Sequence, residues 1–337
     1  MTMTTRNTQT LMAAEIAEAP GVFTAAARAD HRPALDGRGL ASAAAIYTVA
    51  RGSSDAAANI LSYLYMRHLQ VPVTSLPPST FSVYDGVRCT GAAGLVISQS
   101  GASPDLVACA RGIRARGGAV VAITNQPGSA VEGAADVTLP IGAGPERAVP
   151  ATKSVIGSIA AGMALLAALK PGYRASADAG AGAMDALAHG GGQDLAPLNA
   201  GLLRANHVYV VGRGAGFGAA QEVALKLKET CALHAEAYSA SEVLHGPLQL
   251  ATNPLFVLLL DSGEAEVQQS LDQAEDRFRA AGGDVFRLRP PGAGNCCPAA
   301  VAAMLLYLLY PVVLNTALAL GLNPDKPSTL SKVTSTS

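Results

Sequence analysis

From Ala45 onward the chain alternates short apolar runs with longer stretches of helical character: residues 45–50, VTSLPPS from Val73, GLVISQS from Gly94, AVVAITN from Ala119 and DVTLPIG ending at Gly142. Runs this short that are apolar throughout, not at every second residue, suit strands covered on both faces. The segments between them are long enough for helical crossovers, so a parallel sheet flanked by helices is expected. The order then starts again, with HVYVVGRGAG at 207–216, LFVLLLDSG at 255–263, an amphipathic helix around Asp272 to Ala281, and GGDVFRLRP. Gly52 and Gly212, Gly101 and Gly263, and the pair RARGGAVVAI and RAAGGDVFRL recur in one order at an offset of about 160 residues, which points to two copies of one α/β unit. Ligands of open α/β sheets sit outside the carboxyl ends of the strands, so the chemistry is expected in the loops that follow them.

The 337 residues fit two domains. We expect an N-terminal helical arm at 1–34, a first domain at 35–170 closed by the nearly apolar helix Lys153 to Lys170, a linker at 171–200, a second domain at 201–325 and a tail at 326–337. The linker is the stretch richest in Gly, Ala, Asp and Pro, and we expect a weak helix there. Within the arm, residues 11–30 read as an amphipathic helix broken at Pro20-Gly21.

Composition narrows the functional classes. With 50% apolar and only 15% charged residues, the chain is globular with large cores, neither disordered nor a coiled coil. Basic and acidic residues number 24 and 25 and aromatics make up 4%, which leaves no basic stripe or stacking platform for nucleic acid. The five cysteines form no CxxC pair, so neither a disulfide framework nor a zinc site is indicated and a reducing cytoplasm is expected. Glu15, Glu18 and Asp30 interrupt the N-terminal region, which argues against a signal peptide. Ala299 to Leu322 is uncharged and long enough to span a bilayer, but Pro311, Asn315, Thr316, many alanines and the lack of a flanking basic cluster favour a buried helix or helix pair over a membrane span. Part of so apolar a helix is expected at a domain or subunit interface.

The sharpest local signal is VISQSGASPD at 96–105, which puts Ser98, Gln99, Ser100 and Ser103 between an apolar strand and a helix. Gly101 permits close backbone approach, the hydroxyls can donate to an anion, and the helix start favours negative charge; a phosphate seat is the natural reading, an ordinary serine-capped turn the bland one. ARGSSD at 50–55 offers Ser53 and Ser54 to the same crevice. In the second unit, VVGRGAGFG meets Phe217 where a dinucleotide fingerprint needs its third glycine, and neither serine-rich loop carries a GxxxxGK[ST] pattern, so no nucleotide cofactor is expected. Glu222, Lys226 and Glu229 follow at i, i+4 and i+7 and share a helix face, either as a solvated ion network or, at the mouth of a crevice, as proton-transfer groups. HAEAYSASEVLHGP at 234–247 concentrates histidines and acids without the HExxH spacing of a zinc enzyme, so no metal is expected and structural hydrogen bonding is the plain reading of each histidine. Lys332 lies in LSKVT near the chain end, where a frayed terminus is the default.

ARGSSD, ISQSGASPD, AGPERAVPATKS, EVALKLKETCALHAEAYSASEVLHGPL and LSKVT, spread over nearly the whole chain, together resemble the sugar isomerase (SIS) family. The resemblance is to the isomerase half of glucosamine-6-phosphate synthase and to stand-alone relatives that deaminate or isomerise amino-sugar phosphates. It implies two tandem SIS domains, each a five-stranded parallel sheet between helices, in a metal- and cofactor-independent homodimer acting on a phosphorylated amino sugar or ketose. By the same resemblance Ser98, Gln99, Ser100 and Ser103 hold phosphate, Ser53 and Ser54 lie near the sugar, Glu229 is the acid/base with Lys226 beside it, His245 opens the ring, and Lys332 completes the site. In the synthase that histidine comes from the partner subunit. Ala102-Ser103 and Pro150 depart from the synthase pattern, and the first strand begins by about residue 45, so no glutaminase domain and no glutamine-dependent synthesis are expected. Amino-sugar phosphate deamination is the expected activity, with aldose-ketose isomerisation, a fructosamine-phosphate deglycase and a non-catalytic sugar-phosphate sensor as alternatives.

Overall fold

The computed structural model describes residues 10–35, 40–190 and 193–332. Helix α1 (Leu11–Arg28) leads into strand β1 (Ala45–Val49), helix α2 (Ser53–Leu69), β2 (Val73–Ser75), β3 (Ala92–Ser98), α3 (Pro104–Ala115), β4 (Ala119–Thr124), β5 (Val137–Pro140) and α4 (Lys153–Leu169). These five strands form one parallel sheet in the order β2-β1-β3-β4-β5, and every residue of the central β3 is buried, as a strand covered on both faces requires. Helices α5 (Arg174–His189) and α6 (Ala196–Arg204) cross to the second unit. There β6 (His207–Gly212), α7 (Ala215–Cys231), β7 (His234–Ser239), β8 (Phe256–Leu260), α8 (Gln268–Ala280), β9 (Asp284–Leu288) and α9 (Pro298–Ala319) build a parallel sheet ordered β7-β6-β8-β9.

The two orders match strand for strand until the second sheet stops at four strands, which corrects the expectation of five. Twelve residues with a helical turn at Ala130–Ala134 carry the chain from β4 to β5 in the first unit. Only nine, rich in Pro and Gly, separate β9 from α9 in the second, and that is too few for a parallel crossover and a further strand. Strand β7 falls in the segment HAEAYS, whose polar character hid it; at the sheet edge only Ala235 is fully buried, so no continuous apolar run is needed there.

Helix α1 runs unbroken through Pro20, again unlike the expected break. An interior proline costs a helix about 3 kcal/mol. Here the cost is offset by burial of Met12, Ile16, Ala19, Phe23, Ala26 and Ala27 against the neighbouring α4 and α5. The apolar stretch near the C-terminus forms one helix, α9, rather than a pair, and it continues through Pro311. Among the described residues it is the one helix long and apolar enough to cross a membrane, and most of it is buried against α7, α6, α1, α4 and α5. Its polar groups also find partners inside: Asn199 Nδ2 donates to Thr316 Oγ1 at 2.8 Å, and Tyr310 OH donates to Glu222 Oε1 at 3.1 Å. Beyond α9 the chain turns back. Asp325 accepts the Leu11 and Met12 amides at the start of α1, and its carbonyl accepts from Val149 N, so residues up to 332 are led back over the first domain.

The candidate site at the strand ends of the first domain

Three loops and one helix converge on a cleft of about 360 Å³. The turn after β1 brings Arg51, Ser53 and Ser54, the loop after β3 brings Ser98, Gln99, Ser100 and Ser103, α7 of the second domain brings Lys226 and Glu229, and the returning tail brings Lys332. The cleft therefore lies outside the carboxyl ends of the first sheet, where the doubly wound topology opens a crevice.

The loop after β3 is shaped from within. Ser98 is buried and its Oγ accepts from Gly101 N at 3.0 Å, closing the turn. Gly101 takes φ +60, and a Cβ there would lie 2.2 Å from Ser129 Oγ, so both conformation and space call for glycine. Ser103 is the N-cap of α3, yet its side chain makes no capping bond. A routine cap would spend that hydroxyl on an amide of the first turn; here it faces the cleft without that duty. Asp105, buried in the first turn of α3, holds the Arg51 guanidinium through Nε at 2.9 Å and Nη2 at 2.5 Å.

The face of α7 is buried, which separates it from a solvated ion network. Lys226 is 1% exposed; its Nζ lies 2.6 Å from Glu229 Oε2, 2.8 Å from Ser53 Oγ and 3.5 Å from Glu222 Oε1. Burial alone would push this ammonium down, but Glu222 and Glu229 together hold it above the ordinary lysine value, so it stays charged. Glu222 is wholly buried. Burial pushes it up to about 7, with the charge of Glu229 acting in the same direction and Lys226, Ser53 and Tyr310 acting against both. Glu229 is 26% exposed and is the carboxylate of the face that reaches the cleft.

Lys332 is no frayed end: its Nζ donates to Ala148 O at 2.6 Å and lies 3.4 Å from Glu146 Oε2. Glu146 also accepts from Thr152 N, Ser154 N and Ser154 Oγ, while Glu15 of α1 accepts the amides of Arg147 and Ala148, so the loop under Lys332 is fixed from two sides. The structure thus gathers nine of the residues singled out from the sequence: Ser53, Ser54, Ser98, Gln99, Ser100, Ser103, Lys226, Glu229 and Lys332. His245 is not among them. It is exposed at the end of the turn Glu242–His245, beyond the edge strand β7, and does not line the cleft.

Arg51, Asp105, Glu146 and Tyr310 were not singled out. Arg51 lay inside the quoted ARGSSD and Glu146 inside AGPERAVPATKS, but nothing in either segment announces the partner. Tyr310 sits in an apolar run that carries no local signal. All five cysteines are free thiols, and among the described residues no group of three or more His, Cys, Asp or Glu stands close enough to hold a metal ion.

The sequence matches the SIS domain family over residues 39–168 and 201–285. Glutamine--fructose-6-phosphate aminotransferase [isomerizing] of Zymomonas mobilis is 30% identical over 310 residues, covering 84% of this chain and 51% of the relative. The chain thus spans about half the length of the curated relatives it matches. Among solved structures, a candidate phosphosugar isomerase of Silicibacter pomeroyi superposes with a TM-score of 0.82 at 33% identity, covering 94% of this chain and all of that one. Glucosamine-6-phosphate deaminase of Thermotoga maritima, 18% identical, shares the fold with a TM-score of 0.73 over 97% of this chain and 100% of its own. Two doubly wound units with matching strand order, a serine-rich loop at the first sheet's carboxyl edge and a family match across both units lead to one conclusion: this chain belongs to the SIS domain family.

Proposed function

We propose that this protein is an amino-sugar phosphate deaminase that converts glucosamine 6-phosphate to fructose 6-phosphate and ammonia. The single observation that supports this most is the meeting, in one cleft of about 360 Å³, of a serine-rich loop suited to a phosphate with the Lys226–Glu229 pair. The phosphate is bound by Ser98, Gln99, Ser100 and Ser103, and Ser53 and Ser54 face the sugar. Once the ring is open, Glu229 removes the C2 proton to give an enolamine. Reprotonation at C1 leaves an imine at C2, which water hydrolyses to fructose 6-phosphate and ammonia. Lys226 and Lys332 stabilise the negative charge that develops on the sugar oxygens.

His245 opens the ring in this reading. Since it lies outside the cleft of its own chain, it is supplied by a second copy in a cytoplasmic homodimer. Coupled detection of ammonia and fructose 6-phosphate from glucosamine 6-phosphate, with no glutamine, metal or nucleotide added, tests the reaction. Both products are expected, and the appearance of neither rejects it. Aldose-ketose isomerisation is the second reading: the same enolisation serves it without loss of nitrogen, and the 33% identical Silicibacter pomeroyi protein is described as a phosphosugar isomerase candidate. Interconversion of unaminated sugar phosphates, with no ammonia released, would select it.

A further inference from the structure

Among the described residues, three cations line the cleft: Arg51, Lys226 and Lys332. The loop Ser98–Ser103 is itself uncharged, so a phosphate held there needs one of the three as its counter-ion. Two of them already face carboxylates. Lys226 Nζ lies 2.6 Å from Glu229 Oε2 and 3.5 Å from Glu222 Oε1, and Lys332 Nζ lies 3.4 Å from Glu146 Oε2.

Arg51 differs in where its partner stands. The Arg51 side chain is 54% exposed and lines the cleft, whereas Asp105 is 3% exposed and does not. Asp105 is also fully engaged: Oδ1 accepts from Leu106 N at 2.8 Å, and Oδ2 accepts from both Nε and Nη2 of Arg51. These two bonds take one edge of a planar group that carries five N–H donors, and among the described residues Nη1 makes no hydrogen bond. The cleft therefore contains a cation whose direction is fixed by a buried carboxylate and whose remaining donors have no protein partner.

The second domain shows that the turn alone does not produce this arrangement. Arg213-Gly214 repeats Arg51-Gly52, with φ 58 and ψ −132 at Gly214 against φ 53 and ψ −127 at Gly52. Arg213, however, is spent on two hydroxyls, those of Ser239 at the end of β7 and Ser241 beyond it. Four residues after Gly101 stands Asp105, and four after Gly263 stands Val267, so the second domain has no carboxylate at the place that anchors Arg51.

We infer that Arg51 supplies the countercharge of the phosphate seat and thereby selects for phosphorylated ligands, with Asp105 as the positioning residue that aims its guanidinium. The inference rests on the phosphate reading of Ser98–Ser103 and names the charged group which that reading lacks.

Isothermal titration with inorganic phosphate tests it, on the parent and on variants shown by urea unfolding to be folded. Arg51→Gln is expected to weaken phosphate binding roughly 10- to 100-fold, the worth of hydrogen bonds from a charged donor. Should it fail to fold, because Asp105 is left buried without its partner, Arg51→Gln with Asp105→Asn replaces the ion pair by two amides and takes its place. Asp105→Asn alone keeps the positive charge and should weaken binding less than Arg51→Gln. The double variant should bind as Arg51→Gln does, because Asp105 acts only through the arginine. Losses that add in the double variant overturn the positioning role. A folded Arg51→Gln that binds phosphate within threefold of the parent overturns the inference and makes the ion pair structural. Ser103→Ala, titrated alongside, keeps the two readings apart: weaker binding there with none in Arg51→Gln leaves the seat standing without Arg51, whereas a parent that binds no phosphate removes the seat and the inference together.

Discussion

Lys226 and Glu229 are neighbours one turn apart on α7, with Nζ and Oε2 separated by 2.6 Å, but they live in different media: the ammonium is 1% exposed and the carboxylate 26%. The buried lysine is held by Ser53 from the other domain, which pins the pair across the domain boundary. The carboxylate is thereby presented to the cleft in a fixed direction.

Glu229→Gln keeps this shape and removes the base. Turnover of glucosamine 6-phosphate is expected to fall by roughly 100-fold or more, the scale of general acid-base catalysis, while binding of the sugar phosphate changes little. Turnover within threefold of the parent would remove Glu229 from the role, and a comparable loss of binding would make it structural.

Ser103→Ala separates the two readings of the serine-rich loop. Loss of a helix cap costs about 0.5 to 2 kcal/mol of stability. Because the Ser103 side chain makes no capping bond, the variant should stay within about 0.5 kcal/mol of the parent by urea unfolding. A hydrogen bond to a charged group contributes about 1.5 to 3 kcal/mol, so KM for the phosphorylated sugar should rise roughly tenfold or more. Lost stability with unchanged KM would show the hydroxyl to be a cap.

Glu222 couples the cleft to pH. Its folded-state value, raised to about 7, lies above that of an unfolded glutamate, so folding favours the protonated form. The associated stability is fully present below the unfolded value and is lost as pH rises toward and through about 7. Glu222→Gln mimics the neutral form and should flatten that decline. Relative to the parent, its unfolding free energy should gain up to about 3 kcal/mol between pH 4.5 and 8. Parallel stability profiles for the two proteins would show that Glu222 titrates normally. Tyr310→Phe, which removes one donor to Glu222, should push its titration further upward.

His245 tests the assembly. If a second copy supplies it, Glu229→Gln and His245→Gln homodimers are each inactive, whereas the mixed dimer carries one complete site. Refolding the two together should then restore up to about a quarter of parental activity, as random pairing of subunits at one site in each mixed dimer dictates. Verified subunit exchange without rescue would rule out completion across an interface, and a monomer in analytical ultracentrifugation would remove the dimer altogether.

The sequence alone determined the elements whose signals are local. Strands buried on both faces must be apolar throughout, so β3, β4, β6 and β8 announced themselves, and the rule that ligands sit outside the carboxyl ends of strands singled out Ser98–Ser103 after β3 and Ser53–Ser54 after β1. The helical spacing of Glu222, Lys226 and Glu229 put them on one face. Whether that face was wet or dry lay beyond local pattern, since its burial comes from α2 and α9, distant in sequence. The edge strand β7 escaped because a strand with one open side needs no continuous apolar run, and the missing fifth strand was set by the length of a connection rather than by any motif. Tertiary structure also decided that Lys332 reaches the cleft, because Asp325 ties the tail to α1, and that His245 does not line it. These are contacts between residues far apart in the chain, and they are specified by packing geometry that no local window of sequence contains.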